Sequence, residues 1–467
     1  MVAFEHALKI VKRHRHRQSL QNPYQDDTGD LLCPAIIITP SGREILFDSE
    51  MLKEAADLAD TLREDDITIK QSAGSGEWRD QVRQDVAYAL DLIDPNADLD
   101  LVASHIIDQL KSSPKRSKGK IEFCFGCSLF KGAIPKQLRI GPVLFETRED
   151  WLERKYNEGA IPETTRRCVL DAWTALPPHE RDSSQESRLN ETVLGLSRDV
   201  AFICSVTTNG MAYQFARQRA QTTARLALVA IALLWERTSD ALNEMNLVDD
   251  RVARILHELA FEDGQIRRMG CRKNIVPGGQ HLAQNEWENI QSEKKGYFQF
   301  IGEILNSIVD VVTAPRRPQT AHVLTHALLW FHQGCREDLS AIAVANFASA
   351  LDCLSMGDGR EGIKQLIKYQ LGLEKDQKIW KRKNQTVEQA VDEIYDHVRN
   401  GIIHGRIHEG KKPDSKPFDD WEDVRDRAES LTRHALLRCI NISAKGIDND
   451  APHSWQKLAY SVIQTSE

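Results

Sequence analysis

The chain has 467 residues, and 61 Lys and Arg against 69 Asp and Glu set its formal net charge at −8. With 41% hydrophobic and 28% charged residues, it is not collagen-like, mucin-like or wholly disordered, and it has material for more than one buried core. The acidic balance argues against coating nucleic acid by bulk charge, although local basic patches stay allowed.

Residues 1–160 read as a mixed α+β region. Charge appears early (Glu5, Lys9, Lys12, Arg13) with no long apolar stretch before a small-residue cleavage site, unlike a secretory signal. Ala35 to Ile38 and Glu44 to Phe47 read as strands around the turn Thr39-Pro40-Ser41-Gly42. Met51, Leu52, Ala55, Leu58, Ala59 and Leu62 have helical spacing. Ile67 to Ile69 reads as a short strand leading into a Gly74-Ser75-Gly76 loop, followed by helices near Trp78–Leu92 and Leu101–Leu110. Ser112 to Lys120 is a basic, aperiodic linker. Short strands are expected over Ile121 to Phe145, then a helix capped by Thr147 with Glu149 and Asp150 in its first turn.

From 161 to 313 the helical pattern dominates, with one helix expected from Ala212 to Glu244 and another from Tyr297 to Val312. The longest apolar run, Leu226 to Trp235, is about half the ~20 residues a spanning helix needs. It reads as a buried core helix, and no membrane partner is expected. The segment Ala314-Pro315-Arg316-Arg317-Pro318 stops helix formation and reads as a domain boundary. Residues 320–447 then read as a helical bundle: Ala321–His332, Glu337–Leu354, Gly359–Leu371, Thr386–His404 and Phe418–Ser443. Nine cysteines spread from Cys33 to Cys439, an odd set in a large chain, suit a reducing cytoplasm.

Several motifs have plain explanations. Gly357-Asp-Gly359-Arg-Glu-Gly362 matches a dinucleotide fingerprint in form, but a helix rather than a strand precedes it, so an interhelical turn is the better account. Cys124 and Cys127 are a lone pair where zinc normally needs four ligands, and they read as ordinary thiols. His322 and His326 could share a helix face, yet no Glu follows the first, so the metalloprotease pattern is absent. Arg267-Arg268 with Arg272-Lys273, and Lys381-Arg382-Lys383, are short basic clusters that read as solvated surface unless a phosphodiester substrate is argued independently.

That argument starts at Arg399-Asn400-Gly401-Ile402-Ile403-His404. Val387, Val391, Ile394, Tyr395, Val398 and Ile402 form an apolar helical stripe upstream and through it, and Gly405 is suited to a left-handed cap. Asn400 and His404 are four apart on one face, and Arg399 lies about 140° around the axis from His404. The negative end of the helix dipole favours the imidazolium form. On residue chemistry alone, this cluster fits a dipole-complementing helix end as well as it fits a catalytic site.

The segment Tyr395-Asp-His-Val-Arg399-Asn400-Gly-Ile-Ile-His404-Gly405 resembles the signature of the HEPN superfamily, in particular the Apea-like HEPN domains of bacterial proteins. Ala350-Leu351-Asp352-Cys353-Leu354 is similar to that family's second helix, where Glu is more usual than Asp. The likeness covers residues 320–445, under a third of the chain. It implies a C-terminal all-α HEPN-like bundle, which with the patterning above makes the expected fold multidomain, a mixed α+β N-terminal region and a helical middle preceding that bundle. It also implies a metal-independent endoribonuclease without cofactor, working as a homodimer through the bundle. Arg399, Asn400, His404 and Asp352 would be its catalytic residues, with Lys381, Arg382, Lys383 and Arg406 on the RNA. The RNA substrate could be a tRNA, and a phage-derived or small-molecule trigger would act on the N-terminal region of a toxin or anti-phage defence effector. The rival expectations are a catalytically silent module for RNA or nucleotide binding and dimerisation, and a structural scaffold for protein partners.

Overall fold

Helices make up most of the chain, with a small sheet region between them. The computed structural model describes residues 1–19, 35–39, 41–92, 97–112, 119–131, 137–174, 185–197, 200–250, 255–262, 265–273, 280–380, 385–395 and 421–457. Contacts divide it into two units. One comprises Met1–Ile121, Thr208–Arg219 and Asp310–Val312; the other comprises Glu122–Thr207, Ala220–Val309 and Thr313–Glu467. Residues from all three sequence stretches, 1–160, 161–313 and 320–447, enter the second unit.

The first unit contains α1 (Val2–Ser19), the strands β1 (Ala35–Ile38) and β2 (Glu44–Phe47), then α2 (Ser49–Asp65), α3 (Ile67–Ser72), α4 (Ser75–Leu92) and α5 (Leu99–Ser112). β1 and β2 pair antiparallel from Ala35↔Phe47 to Ile38↔Glu44, as the turn chemistry predicts. Met51, Ala55, Leu58, Ala59 and Leu62 line the buried face of α2, against Ile10, Trp78, Val82, Val86 and Ile106. Trp78 satisfies its ring N–H by donating to the Ala59 carbonyl at 2.7 Å.

The basic run of α1 is bound within this unit. Arg13 and Arg17, one turn apart, both donate through Nε to Asp48 Oδ2, at 2.9 and 2.6 Å. Asp48 is also the N-cap of α2, accepting from the Met51 amide at 2.8 Å. Arg15 donates to the Ala97 carbonyl, while Lys9 and His6 meet Glu54.

Ile67–Ile69 is not a strand. It opens α3, because the Asp66 carboxylate caps the Thr68 amide at 2.8 Å and outweighs the β-branched preference of the run. Nor do Ser75 and Gly76 form a loop, since they are the first turn of α4.

The second unit opens with β3 (Lys120–Ser128), β4 (Phe130–Lys131), β5 (Gln137–Ile140) and β6 (Val143–Thr147), followed by α6 (Arg148–Asn157), α7 (Glu163–Trp173) and α8 (Gln185–Ser197). Thr147 caps α6 by accepting from the Asp150 amide at 3.1 Å, as expected. The middle stretch is less helical than its pattern suggests. It contributes β7 (Phe202–Asn209), β8 (Asn246–Leu247) and the antiparallel hairpin β9 (Ile255–Glu262) and β10 (Gln265–Lys273). The five-stranded sheet runs β5-β6-β7-β3-β8, with β5/β6, β6/β7 and β3/β8 antiparallel. β7 is central and buried on both faces, so it lacks the period-two alternation that marks a half-exposed strand.

The expected helix Ala212–Glu244 is two helices, α9 (Tyr213–Ala232) and α10 (Thr238–Glu244). The break follows tightened bonds from the Leu234 and Trp235 amides to the Ile231 and Ala232 carbonyls. The freed Leu233 carbonyl accepts from Arg433 Nε at 3.0 Å. Leu226 to Leu233 is buried throughout, which identifies the apolar run as core. Among the described residues, no single helix is long and apolar enough to cross a membrane.

β11 (Gln280–His281) pairs parallel with β4, and α11 (Gln284–Glu293) and α12 (Lys295–Val309) follow. Next come α13 (Pro318–Arg336), α14 (Ser340–Leu354) and α15 (Gly359–Leu371), then the short strands β12 (Lys378–Trp380) and β13 (Gln385–Thr386), then α16 (Val387–Asp392) and α17 (Glu422–Ala444). Pro318 takes the first helical position of α13, where its missing N–H costs nothing. α17 packs on α12, α13, α14 and α15. α13 and α14 meet where Gly334 lies against Phe347, and the Phe331 and Phe347 rings stand 5.4 Å apart.

Candidate functional site

Arg399, Asn400, His404 and Arg406 lie outside the described residues, as do Lys381, Arg382 and Lys383. The expected helix Thr386–His404 is described as far as Tyr395. Thr386 is its N-cap, in a reciprocal capping box with Gln389. Val387, Val391 and Ile394, the first half of the predicted apolar stripe, are 1–2% exposed. After Asp392 the helix widens into a π turn over Glu393–Tyr395, a winding often found beside functional residues.

Asp352 lies in the last turn of α14 and joins that helix to the next. Its carbonyl accepts from the Gly357 amide at 2.9 Å and from Ser355 Oγ at 3.0 Å. Its carboxylate Oδ1 accepts from the Gly359 amide at 3.2 Å. Met356, Gly357 and Gly359 all have positive φ in this turn, at 61°, 78° and 63°. The glycine-rich motif is thus an interhelical turn with no strand before it. A Cβ placed on Gly359 would come 3.3 Å from Tyr395 Oη. Asp352 and Tyr395, which stands four residues before Arg399, therefore meet at the same glycine.

Two buried cations, absent from the sequence expectations, hold the end of α16. Lys364 on α15 reaches Asp392 at 3.0 Å and Glu361 and Glu388 at 3.2 Å. Burial lowers the Lys364 pKa, but its interactions with the carboxylates of Asp392, Glu361 and Glu388, to which the ammonium is the donor, outweigh it, and the net shift is upward. Arg427 on α17 reaches Glu393 Oε2 at 2.9 Å, and Gln385 Nε2 donates to the same oxygen at 2.9 Å. The available clue was a lysine set between the apolar Ile363 and Leu366–Ile367, on a face that must find anionic partners if buried.

The other candidates resolve into structure. Cys124 and Cys127 are three apart on β3, which sends their side chains to opposite faces. Cys124 lies near Ser205 and Glu122, and burial raises its pKa, so it is a poor zinc ligand as placed. His322 and His326 are exposed with ring centroids 4.6 Å apart. His332 is buried, its Nδ1 has no hydrogen-bond partner, and its pKa is lowered to about 4 by burial and by Arg336 and Arg225, against the opposing pull of Asp250. Among the described residues, His6, Glu54 and Asp57 could geometrically hold a metal ion, but Glu54 is already taken by an ion pair with Lys9 and a 2.6 Å hydrogen bond with His6 Nδ1. The residues Arg267–Lys273 lie on β10.

Comparisons with protein-family models, curated proteins and solved structures find no significant match to this chain.

Proposed function

We propose that the chain is a metal-independent endoribonuclease that cleaves RNA by attack of the ribose 2′-hydroxyl, leaving a 2′,3′-cyclic phosphate and a 5′-hydroxyl. The observation that carries this is the Arg399-Asn400-x3-His404 sequence together with the described residues upstream of it, where Val387, Val391 and Ile394 are buried and Asp352 and Tyr395 meet at Gly359. Cleavage of this kind needs a base for the 2′-OH proton, an acid for the leaving 5′-oxygen and a cation facing the phosphorane charge. His404 carries protons, Arg399 stabilises the phosphate charge, and Asn400 orients His404 or the phosphate. One copy supplies a single strong proton carrier, so two copies across a two-fold axis complete the site. Asp352 serves Arg399 through the turn it holds, and Lys381, Arg382, Lys383 and Arg406 take the RNA backbone. The biological setting is a toxin or anti-phage defence effector in the cytoplasm, with its trigger read by the N-terminal region.

The test is incubation of purified wild type, His404→Ala and Arg399→Ala with total cellular RNA in EDTA, with the RNA ends sequenced. Wild type is expected to yield 5′-hydroxyl ends, and each variant to lose them. Cleavage retained by both variants overturns the mechanism. The commitment of Asp352 Oδ1 to Gly359 favours one second reading, in which the bundle binds RNA without cutting it. In that case wild type shifts RNA in a salt-dependent manner and produces no new ends.

A further inference from the structure

The residues Gly74, Ser75 and Gly76, which open α4, also line an open cleft of about 490 Å³. One wall comes from the start of α4, between Gly74 and Gln84, and the other from the start of α9, between Gln214 and Gln218. Both stretches belong to the first unit. The volume falls within the roughly 300–1,000 Å³ of small-molecule sites.

The groups left available in this cleft decide what fits it. Both Glu77 carboxylate oxygens accept from α9 backbone amides, that of Gln214 at 3.0 Å and that of Phe215 at 3.1 Å. Asp80 is paired with Arg83 at 2.9 Å, and Gln81 donates to Asp85 at 2.8 Å. The carboxamides of Gln84, Gln214 and Gln218, in contrast, have no hydrogen-bond partner among the described residues. Each offers a donor and an acceptor side by side in one plane, which is the pattern a nucleobase edge presents in return. Phe215 carries the Arg219 guanidinium 4.9 Å from its ring centroid, so an aromatic plane and a cationic plane adjoin the cleft. Such planes take unstacked bases. Arg217 and Arg219 are exposed and have no carboxylate partner among the described residues. Gly74 and Gly76 bring no side chain to the α4 wall, which lets a flat ligand approach the backbone.

We propose that this cleft binds a nucleobase, carried by an unpaired RNA strand or by a free nucleotide. The lining disfavours other ligands. Glu77 and Asp80 repel a bare inorganic anion, Phe215 alone is too little for an apolar ligand, and the carboxylates a sugar would use are already engaged. Such a site gives the N-terminal region a ligand of defined chemistry, and it stands whether or not the chain cuts RNA.

The test uses the full chain and short 2′-O-methyl oligonucleotides, which offer no 2′-hydroxyl to attack, beside abasic oligonucleotides of equal charge. Fluorescence anisotropy reads their binding, and calorimetry reads AMP, GMP, CMP and UMP beside ribose 5-phosphate. Oligonucleotides with bases should bind about tenfold more tightly than abasic ones. Gln214→Leu and Gln218→Leu should each weaken binding about tenfold, with hydrogen exchange of the α2 amides as the folding control. Arg219→Gln should weaken it about tenfold and Arg217→Gln less than about threefold, although each removes one charge. Mononucleotides that bind and compete with the oligonucleotides identify a free nucleotide as the ligand, and binding of oligonucleotides alone identifies a base held in RNA. Abasic oligonucleotides that bind as tightly as those with bases, unchanged binding in both glutamine variants, or no binding of either kind of probe overturns the nucleobase site.

Discussion

Replacing Asp48 with Ala removes an N-cap and a counter-ion in one step. The cap on the Met51 amide is worth about 1 kcal/mol. Arg17, with 4% side-chain exposure against 2% for Asp48, would lose this buried counter-ion, at a cost of about 3–5 kcal/mol. Arg13 adds little, because it is 29% exposed and reaches Glu50 at 3.4 Å. The expected loss is therefore about 4–6 kcal/mol, comparable to the whole stability of a small domain. A chain of two units need not unfold in one step, so the readout is hydrogen exchange of the α2 amides across a urea series, alongside circular dichroism. Asp48→Ala with Arg17→Leu removes both charges, and the cost should fall to about 1–2 kcal/mol, mostly the lost cap. If Asp48→Ala costs under about 1 kcal/mol, or if the double variant is as unstable as the single, the buried-pair reasoning is wrong. The result also bears on function. A basic run spent on Asp48 and the Ala97 carbonyl has little left for phosphate, so Arg13 and Arg17 should not steepen the salt dependence of any RNA binding.

Gly334→Ala drives a methyl group to 2.6 Å from the Phe347 ring, so it should cost about 1–3 kcal/mol although Ala is intrinsically the better helix former. Thermal melting checks this, and adding Phe347→Leu should recover part of the loss. pH titration of stability has a predictable sign. His14 and His332 are both lowered from 6.5 to about 4, chiefly by burial, so the folded state favours their neutral forms. Their contribution is complete above the unfolded value and is lost as pH falls from 6.5 towards 4, at about 3 kcal/mol for each histidine. For Asp48, burial raises the pKa, but the Met51 amide, Arg13 and Arg17 outweigh it, and the net is lowered. Its contribution persists through that window and disappears only as pH falls through its depressed folded value. Urea midpoints between pH 8 and pH 4 measure the histidine part, and His332→Gln should flatten the curve.

Helices that present one apolar stripe to a core were legible from spacing alone. α2 and α15 lie where their periodicity puts them, and Thr147 and Thr386 start their helices through side-chain bonds that residue type makes evident. Three features escaped for physical reasons. At α3, the Asp66 cap reversed the preference of Ile67, Thr68 and Ile69. β7 is apolar on both faces and so resembles the interior of a helix. The α9–α10 break depends on Arg433, some 200 positions away in the chain, accepting responsibility for one backbone carbonyl. At the candidate site, the motif and the buried stripe could be read, whereas the grip on Asp392 and Glu393 could not, because Lys364 and Arg427 find their anions only once three helices have assembled.

The helices after Pro318 do not close a core by themselves. α12 lies on α13 and α17, and Tyr297 from α12 donates its hydroxyl to the Ala230 carbonyl of α9 at 2.8 Å. Arg336 and Glu429 reach back to the Leu242 carbonyl and to Ser239. A fragment excised at residue 320 would bare the flanks of α13 and α17 that α12 now covers, and would take from Arg336 and Glu429 their partners on α10. Dissection of this molecule is therefore better done by point substitution within the intact polypeptide than by trimming it to the residues after Pro318.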